Sequence, residues 1–135
     1  MRLEISREAL AGIRAAAAAV HPEEACGLLF GSEGMIHGWQ EARNVANRRE
    51  IEFEIDPTFL FAALHEERRG GPRLIGYWHS HPNGRVSPSP TDRAAAAADG
   101  KYWLIVTAEG ATAWRAVDDG AGKVAFTALL LHSSG

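Results

Sequence analysis

Two histidines, His79 and His81, stand two residues apart behind the apolar run Leu74-Ile75-Gly76-Tyr77-Trp78. Ser89 and Asp92 follow beyond a short loop rich in Pro, Gly and Ser. The apolar run reads as a buried strand. Side chains on a strand alternate between faces, so His79 and His81 emerge on one side and can converge on a single metal ion. Asp92 adds a hard carboxylate oxygen. Two nitrogens and one oxygen make three protein ligands, the count that leaves a tetrahedral zinc with one open position. Zinc lowers the pKa of coordinated water from about 15.7 to about 7 and polarises carbonyl groups, so the chemistry these residue types suit is hydrolysis.

Hydrolysis of an amide also needs a group that takes a proton from water and delivers it to the departing amine, and a carboxylate can do both. Glu23 and Glu24, just ahead of Ala25-Cys26-Gly27, are equal candidates by residue type. Ser89 has two roles open to it. Ser89-Pro90-Thr91-Asp92 has the sequence of a helix capping box, and a serine hydroxyl can also donate to a developing oxyanion. The two are compatible, because a helix start would hold Asp92 in its first turn and aim it.

The spacing His-Ser-His, seven residues, Ser, two residues, Asp, together with Glu24-Ala25-Cys26-Gly27-Leu28-Leu29-Phe30-Gly31 upstream, resembles the signature of the JAMM metallopeptidases, also called the MPN+ or Mov34/MPN/PAD-1 family. The Asn44 segment and Phe53-Glu54-Ile55-Asp56-Pro57 extend the likeness along nearly the whole chain, and no signature position departs from it. The resemblance implies His79, His81 and Asp92 as Zn2+ ligands, Glu24 as general acid/base and Ser89 as oxyanion donor. It also implies an MPN/JAB-like fold and cleavage of an amide bond at the C-terminal tail of a ubiquitin-like protein. Short prokaryotic members are associated with sulfur-carrier proteins ending in Gly-Gly. Few residues separate Asp92 from Leu104, which leaves little room for the inserted loop by which deubiquitinases grip a second ubiquitin. A Gly-Gly tail could pair with a sheet edge as an added strand.

Other elements must position these residues. Leu10, Ile13, Ala17 and Val20 recur at helical spacing, with Ser6 placed to cap the start and Pro22 after the end. Cys26 to Phe30 and Met35 to Gln40 read as paired strands around the Gly31-Ser32-Glu33-Gly34 turn. Glu41 to Glu50 reads as a loop, and Phe53 and Ile55 alternate as in a strand. Asp56-Pro57 opens a second helix that Gly70-Gly71-Pro72 stops. Alanine-rich Thr91 to Asp99 predicts a third helix, ending at Gly100. Tyr102 to Thr107, Ala111 to Val117 and Val124 to Leu130 follow as strands, separated by Glu109-Gly110 and Asp118-Asp119-Gly120 turns. The expected fold is α/β (α+β), a curved mixed sheet flanked by three helices, in one domain over residues 1–135. Pro82-Asn83-Gly84 would shape the rim of the site.

A chain of 135 residues is long enough to bury roughly two-thirds of the surface its unfolded form exposes, and it needs no disulfide. Its single cysteine, Cys26, cannot bridge internally, which fits a reducing compartment, and it reads as a small buried hydrophobe. The formal charge of −3 offers no basic stripe for nucleic acid. Charged residues interrupt the alanine-rich N-terminal segment, so neither a signal core nor a membrane span is expected there, and the expected location is the cytoplasm. His21, His37, His65 and His132 read as surface residues. Trp78, Trp103 and Trp114 read as core or half-buried strand residues, with Trp39 open to a binding role. The alternatives are a metal-free MPN-type scaffold, which would lack the ligands this chain has, and a deubiquitinase-like isopeptidase with a different substrate. Amidohydrolases that use His-x-His typically need a barrel of ~250 residues. Zinc deaminases need a Cys-x-x-Cys that this chain lacks.

Overall fold

A computed structural model describes residues 1–135. The order is β1 (Arg2–Ser6), α1 (Arg7–Val20), β2 (Cys26–Ser32), β3 (Met35–Ala42), α2 (Pro57–Arg68), β4 (Leu74–Ser80), α3 (Pro90–Ala95), β5 (Tyr102–Val106), β6 (Ala111–Asp118) and β7 (Val124–Ser134). The strands form one mixed sheet in the order β1-β3-β2-β4-β5-β6-β7, which β1 closes by pairing parallel to β7. β4 and β5 also run parallel, whereas β2 is antiparallel to both β3 and β4. The ring is closed along the whole of β1 against β7 but only by the bridge Glu4–Met35 between β1 and β3, so beyond Met35 the side of β3 that faces away from β2 has no strand partner.

β2 and β4 are continuous apolar runs because both of their faces are covered. On one face Leu29, Ile75, Trp78 and Leu104 pack with Ile13 of α1 and with Leu3 and Ile5 of β1. On the other, Leu28, Leu74 and Tyr77 pack beneath Ala63, Leu60 and Leu64 of α2. The register between β2 and β4 shifts at Leu29/Phe30, which sends Ile75 and Trp78 to the α1 face and Tyr77 to the α2 face. His79 continues the alternation from Tyr77.

Ser6 caps α1, its hydroxyl accepting from the Ala9 N–H, and Asp56 caps α2 with Pro57 at the first helical turn. Three expectations need correction. No element was expected ahead of the first helix, yet Leu3 and Ile5 alternate inward with Arg2, Glu4 and Ser6 outward, form β1 and complete the barrel. The third helix stops at Ala95 instead of reaching Asp99. It buries only Asp92, so no tertiary contact supports further turns, and alanine propensity alone does not hold so short a helix. Phe53 and Ile55 form no regular strand; a single antiparallel bridge joins Ile55 to Asn44. Trp39 is half-buried, edge-on to Trp78 at 6.0 Å, and packs on α1 where Gly12 has no side chain. It also lines a cleft of about 500 Å³ with Phe30, His37 and Arg73.

Candidate metal centre

Four side chains distant in sequence converge at the ends of β2, β4 and α3. One ligand-capable atom from each of Glu24, His79, His81 and Asp92 lies within 4.8 Å of the others, and all four residues are buried. His79 is the penultimate residue of β4, and His81 lies just beyond the strand. The His81 N–H still donates to the Val106 carbonyl at 3.0 Å, so the backbone stays extended and both rings point the same way. Asp92 comes from the first turn of α3. Ser89 fixes it by a reciprocal capping box: the Asp92 N–H donates to Ser89 Oγ (3.0 Å), and the Ser89 N–H donates to Asp92 Oδ2 (2.9 Å). The hydroxyl hydrogen of Ser89 is left over from that cap.

The donor atoms meet tightly. His79 Nε2 lies 3.0 Å from His81 Nε2 and 3.1 Å from Asp92 Oδ2, and His81 Nε2 lies 3.0 Å from the same oxygen. Nitrogen and oxygen donors at about 2.0 Å from one tetrahedral zinc would stand about 3.3 Å apart, close to this triangle. The His81 Nδ1–H donates to the Arg85 carbonyl at 2.9 Å, so in the neutral ring Nε2 presents its lone pair to the cluster. A triangle of two imidazole nitrogens and a carboxylate oxygen, with a further carboxylate beside it, is the donor set of a zinc site with an open position, and these residues fit that ion.

Charge and burial bias each group. Burial works to raise the Asp92 carboxyl, but hydrogen bonds from His79 and His81 outweigh it and hold Asp92 well below the usual carboxylate range. Burial lowers His79, so it favours the neutral ring. For His81 burial is outweighed by the Asp92 carboxylate and the Arg85 carbonyl, and its affinity for a proton rises. Glu24 is raised to about 7, chiefly by burial, with Asp92 and Glu52 adding to the effect and His81 opposing it. It is only 5 % exposed, and its Oε1 has no hydrogen-bond partner.

Glu24 is held by its backbone. Its N–H donates to the Arg49 carbonyl (2.7 Å), and its carbonyl accepts from Asn44 Nδ2 (2.9 Å). Glu23, the other carboxylate candidate, turns away and pairs with Arg49 at 3.2 Å. A cleft of about 560 Å³ opens beside Glu24, lined by Glu23, Glu41, Arg43, Asn44 and Arg49. A second, of about 540 Å³, lies behind His81 between α1 and the ends of β4 and β5.

All five expected site residues are therefore neighbours, while His21, His37, His65 and His132 are exposed. Cys26 is fully buried, and burial pushes its thiol up to about 12, so it acts as a core residue. Sequence reasoning missed three contributors. Ser80, between the two histidines, faces the opposite way: its Oγ accepts from the Ala25 N–H (2.8 Å) and its N–H donates to the Ala25 carbonyl (3.0 Å), tying β4 to the residue after Glu24. Alternation along the strand was the only signal for it. Arg85 contributes a carbonyl, to which its side chain gives no clue. Phe53 stacks on His79 from a segment far away in sequence.

Residues 6–117 match the family described as prokaryotic homologs of the JAB domain. A desampylase from Haloferax volcanii is 31 % identical over 115 residues, covering 81 % of this chain and 83 % of the relative. A desampylase from Pyrococcus furiosus is 35 % identical over 87 residues, covering 64 % and 61 %. Among solved structures, a JAB1/MPN domain protein from Archaeoglobus fulgidus superposes with a TM-score of 0.57 at 23 % identity, covering 98 % of this chain and 99 % of that one, a likeness of fold. With a family match across most of its length, a relative of this identity and a JAB/MPN fold, the chain belongs to the prokaryotic homologs of the JAB domain.

Proposed function

We propose that this protein is a zinc-dependent isopeptidase that hydrolyses the amide bond at the C-terminal tail of a ubiquitin-like protein, with Glu24 as acid/base and His79, His81 and Asp92 as metal ligands. The observation that carries the reading is the buried convergence of these four side chains, with one Glu24 oxygen left unpartnered beside the triangle. Family membership and the desampylase relatives support hydrolysis of a ubiquitin-like tail. The metal-free scaffold is disfavoured because every ligand is present and aimed inward.

Zinc, when bound, supplies a Lewis acid that makes water nucleophilic near neutral pH and polarises a carbonyl. Glu24 has its proton affinity set near 7, which suits it to take a proton from the attacking water and give it to the departing amide nitrogen. Ser89 is the oxyanion donor in this reading, since its cap uses an oxygen lone pair and leaves the O–H to donate. Asp92 stays ionised throughout, and Arg85 holds the His81 ring in place.

The substrate is the extended Gly-Gly tail of a small ubiquitin-like sulfur carrier. In this reading the docking edge is the segment from Phe53 to Ile55, which lies beside His79. The bridge to Asn44 turns the N–H and C=O groups of Glu54 inward, toward Val45 and the Asn44 side chain. Those of Phe53 and Ile55 face the other way and make no hydrogen bond within the chain. They offer main-chain pairing to an added strand, beside His79, which Phe53 touches. Glycine at the cleavage point lets the tail backbone approach closely. No helix is long and apolar enough to cross a membrane. The buried single thiol agrees with a reducing, cytoplasmic setting.

The test is mass spectrometry of carrier fusions bearing extra residues after Gly-Gly, incubated with the zinc-loaded protein. Trimming at the second glycine, abolished by Glu24→Gln, is expected. Fusions left intact while linked ubiquitin chains are cut would replace the sulfur-carrier substrate with a deubiquitinase-like one.

A further inference from the structure

The two ligand histidines are held by different means. His81 has the usual support for a metal-binding imidazole, a hydrogen bond from its outer nitrogen to a carbonyl. His79 has none: its ring is fully buried and Nδ1 has no hydrogen-bond partner. Aromatic rings surround it instead. Phe53 lies stacked on the imidazole at 4.3 Å with the planes 23° apart, and Trp103 meets it edge-on at 5.7 Å and 87°. Phe53 and Trp103 contact each other at 5.7 Å, and Tyr77 and Phe126 brace Trp103 from further out. Trp103 sits in β5, in register with Tyr77 of β4, and is fixed by the sheet. Phe53 lies outside any regular strand and reaches His79 from the irregular segment between β3 and α2.

We infer that Phe53 is a positioning residue for the zinc ligand His79, its ring taking the place of the missing hydrogen bond in fixing the imidazole plane. A stacked ring opposes rotation about the Cβ–Cγ bond, because turning the imidazole would drive its edge into the face of Phe53. With Nδ1 buried and without a partner, this face-on contact and the edge of Trp103 are what keep Nε2 aimed at the cluster. The inference rests on the metal-ligand reading of the four-residue cluster, and failure of that reading would show separately, as absence of zinc from the unmutated protein.

Zinc affinity, measured by competition with a chromophoric chelator, and the visible spectrum of the cobalt-substituted protein test it without recourse to activity. Phe53→Leu should weaken zinc roughly 10-fold or more, the usual loss when the support of a ligand histidine is removed. It should also alter the cobalt bands. Phe53→Tyr, which keeps the stacked ring, should restore both. Phe126→Leu, which loosens Trp103 from its far side without touching His79, should change neither. If Phe53→Leu does not fold, Phe53→Met fills the space without a ring and carries the same expectation. Parental zinc affinity and cobalt spectrum in the ring-less variant would overturn the inference, and so would an equal loss in Phe126→Leu, which would reduce the effect to general core packing.

Discussion

Glu24→Gln should make the metal-stripped protein more stable at alkaline pH. A buried carboxyl raised from 4.5 to about 7 binds its proton more tightly in the folded chain than in the unfolded one. Below pH 4.5 both states hold the proton, and the site costs no charge burial. As pH rises from 4.5 to about 7 the unfolded chain ionises first, so stability drains away across that window, and above it the whole penalty is present. At about 1.4 kcal/mol per pKa unit, the penalty is about 3 kcal/mol. Glutamine at position 24 carries no charge at any pH and escapes it. The Glu24 charge is one of the causes that raise His81, and that contribution disappears with the carboxylate; the burial and mutual hydrogen bonds of His79, His81 and Asp92 are common to both proteins and largely cancel in the difference between them. Urea denaturation of the two metal-free proteins at matched pH values reads that difference. The variant should gain on the parent by about 3 kcal/mol between pH 4.5 and pH 8, with nearly all of the gain in place by about pH 7.5. Parallel stability profiles would mean that Glu24 ionises as freely in the folded chain as in the unfolded one, and the acid/base assignment would lose its physical basis.

His79→Ala, His81→Ala and Asp92→Ala should each abolish stoichiometric zinc in elemental analysis, whereas Glu24→Gln should keep it while turnover falls by about 10² to 10⁴. Ser89→Ala separates a cap from an oxyanion donor: loss of the cap costs about 0.5 to 2 kcal/mol of folding stability, loss of the donor about 10² to 10³ in rate with zinc retained. A full melting-temperature loss with unchanged turnover would return Ser89 to structure. Ser80→Ala leaves the buried Ala25 N–H without its acceptor and should destabilise the protein by about 1 to 3 kcal/mol in denaturant titration, whereas Ser80→Thr, which keeps the hydroxyl, should lose much less.

The convergence of His79, His81 and Asp92 was legible in the sequence because strand alternation and the step from Ser89 to Asp92 are local rules that survive folding. Glu24 was not legible from local rules. Beside Glu23 it is chemically indistinguishable, and what separates them is that the Arg49 and Asn44 contacts turn one carboxylate inward and leave the other near solvent. Ser80 and Phe53 were missed for the same reason: each acts on a residue brought beside it by tertiary packing, Ala25 in one case and His79 in the other. The strands from β4 onward were readable from their turns. β1 was not, since five residues with two apolar side chains give a weak period, and its partner lies at the other end of the chain.

That pairing bears on how the protein is made. β1 is synthesised before the other strands but touches β3 at a single bridge, and its continuous partner is β7, the last strand in chain order. Closing so long a loop forfeits chain entropy before any ladder is gained, so the ring should seal late and slowly. Until β7 has been synthesised, Leu3 and Ile5 lack the strand that completes their side of the barrel, and the nascent chain carries an open, apolar edge that invites chaperone binding.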